Sequence, residues 1–93
     1  MLVLIKSAPD TTDGALALTL AIESKADLVL LQNGVSFALK DRISGFSGMV
    51  YVLDDDKRLR GLTDPELDHR VRTVSYDTLI DLMAASDKVV GMF

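Results

Sequence analysis

The stretch from Leu28 to Val35, LVLLQNGV, constrains this chain more than any other. Its four consecutive aliphatic residues are too few for a helix, with Asp27 before them and Gln32, Asn33 and Gly34 after. Such a run reads as a strand buried on both faces, the condition of a strand inside a parallel sheet. The polar turn that stops it at Asn-Gly then belongs to the carboxyl edge of that sheet, where α/β proteins usually meet ligands and partners.

Other segments fall into step with this strand. Leu2 to Ile5 reads as a first strand, and the turn and cap residues of Lys6 to Asp13 lead into a helix beginning near Thr12. From Gly14 to Ile22 every residue but Thr19 is apolar or glycine. That helix lacks the single stripe of one packed only on a sheet, so part of it is expected to face another subunit. After Gly34, the positions Val35, Ala38, Leu39 and Arg42 or Ile43 follow helical spacing, which predicts a short helix to about Arg42. Phe37 falls off that stripe, as incidental surface or a contact residue.

Ser44 to Gly48 reads as a loop and Met49 to Leu53 as a third strand. Asp54, Asp55 and Asp56 precede Lys57, Arg58 and Arg60, and Gly61 comes just past them. That order complements a helix dipole and closes the helix with a left-handed cap. Thr63 to Glu66 forms a loop or further turn, and Arg70 to Val74 alternates with charge as an edge strand would. Ser75 caps a helix from Tyr76 to about Ala85, and Lys88 to Phe93 supplies a last short strand. About five strands alternating with four helices predict a three-layer α/β/α sandwich around a mainly parallel five-stranded sheet, as a single domain over residues 1–93.

Composition limits the function classes. A chain of 93 residues buries only roughly 60 to 65% of its unfolded surface. Yet 48% of its residues are hydrophobic, a surplus that points to an interface. A net charge of -4 argues against this chain alone gripping phosphate backbones. Lys6 directly after the first apolar run argues against a signal peptide, and the aliphatic runs fall far short of a membrane span, so the expected location is cytoplasmic. There is no cysteine, hence no disulfide, no thiolate metal site and no sulfur nucleophile.

The remaining candidate chemistry has plainer readings beside it. Asp54 to Asp56, joined by Asp10 and Asp13, could hold a hard cation as in a receiver domain. The chain is about one βα unit short of that fold, and the dipole already accounts for the three aspartates. His69, the sole histidine, sits in a charged stretch with no nucleophile in fixed relation to it and reads as surface. Lys57, Arg58, Arg60, Arg70 and Arg72 read as solvated faces and an edge guard. Neither GxGxxG nor GxxxxGK[ST] occurs, so no nucleotide, and no other cofactor or metal, is signalled.

LVLLQNGV at 28–35, YVLDDDKRLRGL at 51–62 and VSYDTLIDLMAASDKVVGMF at 74–93 together resemble the TusB/DsrH family of small sulfur-relay proteins. The family pattern is a strand ending in Gln-Asn/Asp-Gly-Val, a strand running into Asp, an Arg-Gly pair and a Tyr-containing cap before the last helix. LVLIKSAP is similar to the family's first strand and Ser-Pro turn, with an alanine inserted between Ser7 and Pro9. Met92-Phe93 stands where members commonly end in tryptophan.

The resemblance implies a DsrE/F/H-like fold. It also implies assembly with homologous TusC/DsrF-like and TusD/DsrE-like subunits, in a relay that moves persulfide sulfur toward tRNA wobble-uridine thiolation or through dissimilatory sulfur oxidation. Without a cysteine this chain would be a non-catalytic subunit, meeting tRNA only indirectly. Expected interface residues are Leu16, Leu20, Phe37, Met92 and Phe93. The alternative is a stand-alone homo-oligomeric domain holding a small polar ligand at an edge formed by Ser7, Asp10, Asn33 and Gly34.

Overall fold

The computed structural model describes residues 1–91 and 93. Five parallel strands, β1 (Leu2–Ile5), β2 (Asp27–Leu30), β3 (Val50–Leu53), β4 (Val71–Val74) and β5 (Val89–Val90), form one sheet in the order β4-β3-β2-β1-β5. The aliphatic run at 28–31 is central, as expected. Leu28 lies between Val3 and Val50, and Leu30 between Ile5 and Val52. Three α-helices, α1 (Thr12–Ser24), α2 (Asp54–Leu59) and α3 (Tyr76–Ala85), supply connections.

Strand order explains the layers. The chain steps one way from β1 to β4, then returns through α3 to lay β5 beside β1. With right-handed crossovers, that reversal places α3 on the face opposite the earlier connections. Two clusters follow. On one face Val3, Ile5, Leu28, Leu30, Val50 and Val52 lie under Ala17 and Ala21 of α1, closed further by Val35, Phe37, Ile43 and Phe46. On the other, Leu2, Leu4, Val29, Leu31 and Leu53 lie under Leu79, with Leu82 and Met83 at its margin.

Local chemistry sets the boundaries. The Thr11 hydroxyl accepts the Gly14 N–H at 3.1 Å to start α1, and Lys25 ends it in the left-handed conformation. The Ser75 hydroxyl accepts the Thr78 N–H at 3.2 Å to start α3. Gly61 closes the turn after α2 at positive φ, its N–H donating to the Arg58 carbonyl. The Phe93 N–H donates to the Leu4 carbonyl, and the Phe93 carbonyl accepts from Lys6 and Ser7. β4 is an edge strand, with Arg72 and Thr73 exposed.

Two expectations are corrected. The segment after β2 is a 3-10 helix, Gln32–Ala38, and not an α-helix reaching Arg42. With three residues per turn, Phe37 eclipses Gly34, and it faces the core at 2% exposure. Phe37 is therefore a core residue, off the exposed surface expected for it. Nor do all the basic residues form solvated faces. Lys57 is buried, donating to Asp64 at 2.7 Å. Arg70 is half-buried, donating to the carbonyls of Phe46 and Ile43 and to Asp68.

α1 presses three small residues, Gly14, Ala17 and Ala21, to the protein interior. Leu16 is left 60% exposed, Ile22 is also exposed, and Leu20 is half-buried. Phe93 is half-buried against the core. Met92 lies outside the described residues.

Candidate functional site

The carboxyl ends of β1 and β2 are held together at Gly34. Its N–H donates to the carbonyls of Leu31 (2.8 Å) and Lys6 (3.0 Å). A Cβ on Gly34 would overlap the Ile5 carbonyl oxygen and lie 2.8 Å from its carbon. The glycine of QNGV is thus required by close backbone approach.

Leu31 belongs to the α3-side cluster, Val35 and Phe37 to the other. The chain therefore crosses the sheet edge at Gln32 and Asn33, and Gln32 makes the crossing with φ of 49°. The Asp56 carboxylate of α2 accepts the Gln32 N–H at 2.8 Å. The Asn33 side-chain oxygen accepts from the Arg60 guanidinium at 3.3 Å. The turn after β2 and the helix after β3 are fastened to each other at two points.

Ser7 and Asn33 flank this junction. The Ser7 N–H donates to the Phe93 carbonyl at 3.0 Å. Asp10 is exposed, and among the described residues no hydrogen bond or ion pair joins it to the other three. Gly34 is buried and presents no surface to a ligand. The edge residues chosen from sequence thus sit around a structural junction, and only Ser7 and Asn33 share it with an accessible side chain.

The concave feature lies on the α3 side of this edge. It is a cavity of about 380 Å³. Its floor is Leu4, Leu31 and Leu53, at the ends of three neighbouring strands, and its wall is Tyr76, Leu79 and Met83 of α3. Gln32 and Asp56 complete the lining. It opens because α3 buries only Leu79 fully, so one helix does not roof the sheet out to its carboxyl edge. Position and size suit a ligand site of an α/β sheet.

Sequence reasoning missed Gln32, Asp56 and Tyr76 as site residues. The signal was present: they belong to the three separate stretches that carry the family resemblance, and the fold brings all three to one cavity.

Elsewhere, charged groups are engaged structurally. Asp54 and Asp55 pair with Arg58 at 3.2 and 2.7 Å. Asp68 accepts the Arg70 backbone N–H, which, with the Arg70 guanidinium, holds its carboxyl below the usual value of 3.8 against a smaller opposing effect of burial. In a hollow of about 470 Å³ beside His69, Arg70 and Arg72, the Arg70 guanidinium is already engaged by Phe46, Ile43 and Asp68. His69 is almost fully exposed.

A family model described as "DsrH like protein" matches residues 6–89. The chain belongs to the DsrH-like family. A curated relative, Protein TusB of Buchnera aphidicola subsp. Baizongia pistaciae, is 31% identical over 87 residues, covering 88% of this chain and 90% of the relative. The solution NMR structure of protein Tm0979 from Thermotoga maritima superposes with a TM-score of 0.67 at 28% identity, over 98% of this chain and 100% of that one. The resemblance to TusB/DsrH proteins and the α/β sandwich expected from the alternation of strands and helices both hold, and with them a general role in sulfur relay. For a DsrH-like chain, the Gln-Asn-Gly-Val signature marks a turn whose glycine joins two strands and whose glutamine borders a cavity.

Proposed function

We propose that this chain is a non-catalytic subunit of a cytoplasmic sulfur-relay complex, assembled with cysteine-bearing homologues of the TusC/DsrF and TusD/DsrE kinds. The observation that carries this reading is a DsrH-like chain with no cysteine among its 93 residues. A persulfide needs a thiol to reside on, so sulfur passing through such a complex must travel on partner cysteines, toward tRNA wobble-uridine thiolation or dissimilatory sulfur oxidation.

The outer face of α1 supports assembly. Each aliphatic side chain fully covered there is worth roughly 1.5 to 3 kcal/mol, and Leu16 and Ile22 stand uncovered. No described helix is long and apolar enough to cross a membrane, and the negative net charge leaves tRNA contact to a partner.

Affinity purification from the native host tests this. The expected outcome is a stoichiometric complex with small cysteine-bearing homologues that become persulfidated while this chain does not; recovery only as a free monomer overturns it. Leu16→Ser should weaken such a complex while changing the melting temperature of the isolated chain little, since the side chain is already in water.

A further inference from the structure

Independently of the relay role, we infer that the cavity between α3 and the strand ends binds a small ring-sized molecule bearing an N–H donor, neutral or cationic but not anionic. Three observations meet there. First, the cavity has an apolar floor and wall with only two or three polar groups at its rim, the composition of a small-molecule site. Its volume of about 380 Å³ equals that of roughly a dozen waters, enough for one or two fused rings. Tyr76 and Met83, on the same wall, favour an aromatic body through ring and sulfur contacts.

Second, the rim offers an acceptor with capacity to spare. One oxygen of Asp56, Oδ2, takes the Gln32 N–H at 2.8 Å. The other, Oδ1, has the Arg60 guanidinium at 4.0 Å, beyond hydrogen-bond reach. The Asp56 side chain is only 18% exposed, so water serves that oxygen poorly and a ligand N–H would serve it well. A ligand carboxylate would meet like charge at the same place.

Third, Gln32 carries a full side chain at positive φ, where glycine is easier. Backbone held in this region against its preference clusters at ligand-binding positions. The Asp56 contact that holds this conformation also fixes the carboxylate at the rim, so one interaction shapes the site and presents its acceptor.

Amide chemical-shift titrations of the full chain with indole, tryptamine and indole-3-acetate test the inference. Indole and tryptamine should give saturable shifts confined to residues around Gln32, Leu53, Tyr76, Leu79 and Met83. Indole-3-acetate should bind roughly tenfold more weakly, the scale of one like-charge contact at a partly exposed site. Tyr76→Ala, at an exposed position that leaves the fold intact, should weaken both ligands. Asp56→Asn, which can still accept the Gln32 N–H, should remove the discrimination against the acid. Equal binding of the acid to the unaltered chain, shifts at another surface, or no saturable shift with indole or tryptamine each overturns the inference; the last would leave the cavity as a seat for a side chain of a partner. Loss of the relay complex in the purification above would not touch these titrations, so the two readings fail separately.

Discussion

The two faces of the sheet are built from similar aliphatic strands and finished in opposite ways. On the α1 face, helix, 3-10 segment and the loop through Ile43 and Phe46 converge, and small residues let α1 lie close. On the α3 face a ten-residue helix works alone, with Leu79 its one fully buried residue. Both faces leave apolar side chains outside, Leu16 and Ile22 on α1 and Tyr76 and Ile80 on α3; the second also leaves spare space beneath its helix, as the cavity. Excess surface and excess volume are two remainders of fitting helices to a small sheet, and each suits a different use: surface for another subunit, volume for a ligand.

The largest test strikes the junction that both faces share. Gly34→Ala should destabilise by about 3 kcal/mol or more, since the clash is with Ile5 backbone that no rotamer change relieves; urea unfolding measures it. Next, Leu79→Ala should cost about 2 to 4 kcal/mol, and hydrogen exchange should show α3 amides losing protection before those of α1 and β2. Equal loss on both faces would erase the contrast. Ala17→Leu should cost about 1 to 3 kcal/mol by overpacking the close helix, with calorimetry as the measure; a neutral result would show that α1 can lift away.

The smallest effect concerns acid. Asp68 is held below its usual value chiefly by the Arg70 backbone N–H and then by the guanidinium, and Arg70 in turn pins Ile43 and Phe46 on the α1 face. A lowered carboxylate pKa contributes stability that is complete above the unfolded value of 3.8 and fades as pH falls through the lowered folded value. The loss should be small, because burial of the carboxyl offsets part of the lowering. Asp68→Asn should flatten the acid limb of a melting-temperature profile below about pH 4.

Much of the fold was legible because its signals are local. Four-residue aliphatic runs, Thr11 and Ser75 at helix starts and Gly61 past a helix end all state their roles within a few positions. Phe37 was misread because the same residues take a different face at three residues per turn than at 3.6. The tight winding comes from Gly34 reaching the β1 backbone, a contact between residues far apart in sequence. Burial of Lys57 and Arg70 was hidden for a similar reason: their partners Asp64, Phe46 and Ile43 lie in connecting segments whose paths no periodicity encodes. The cavity was the least legible feature, since its lining comes from β1, the turn after β2, β3, α2 and α3, and only the fold makes neighbours of Gln32, Asp56 and Tyr76.

The two borders of the sheet decide how copies of this protein behave when crowded. At one border β4 holds out Arg72 and Thr73; at the other β5 spans two residues, Val89 and Val90. Neither offers the long, flat, apolar rail on which strands add without limit. Growth by adding strands is therefore disfavoured at both borders. Leu16, Ile22, Leu59 and Ile80 are exposed on helices, off the strand borders on which fibres grow.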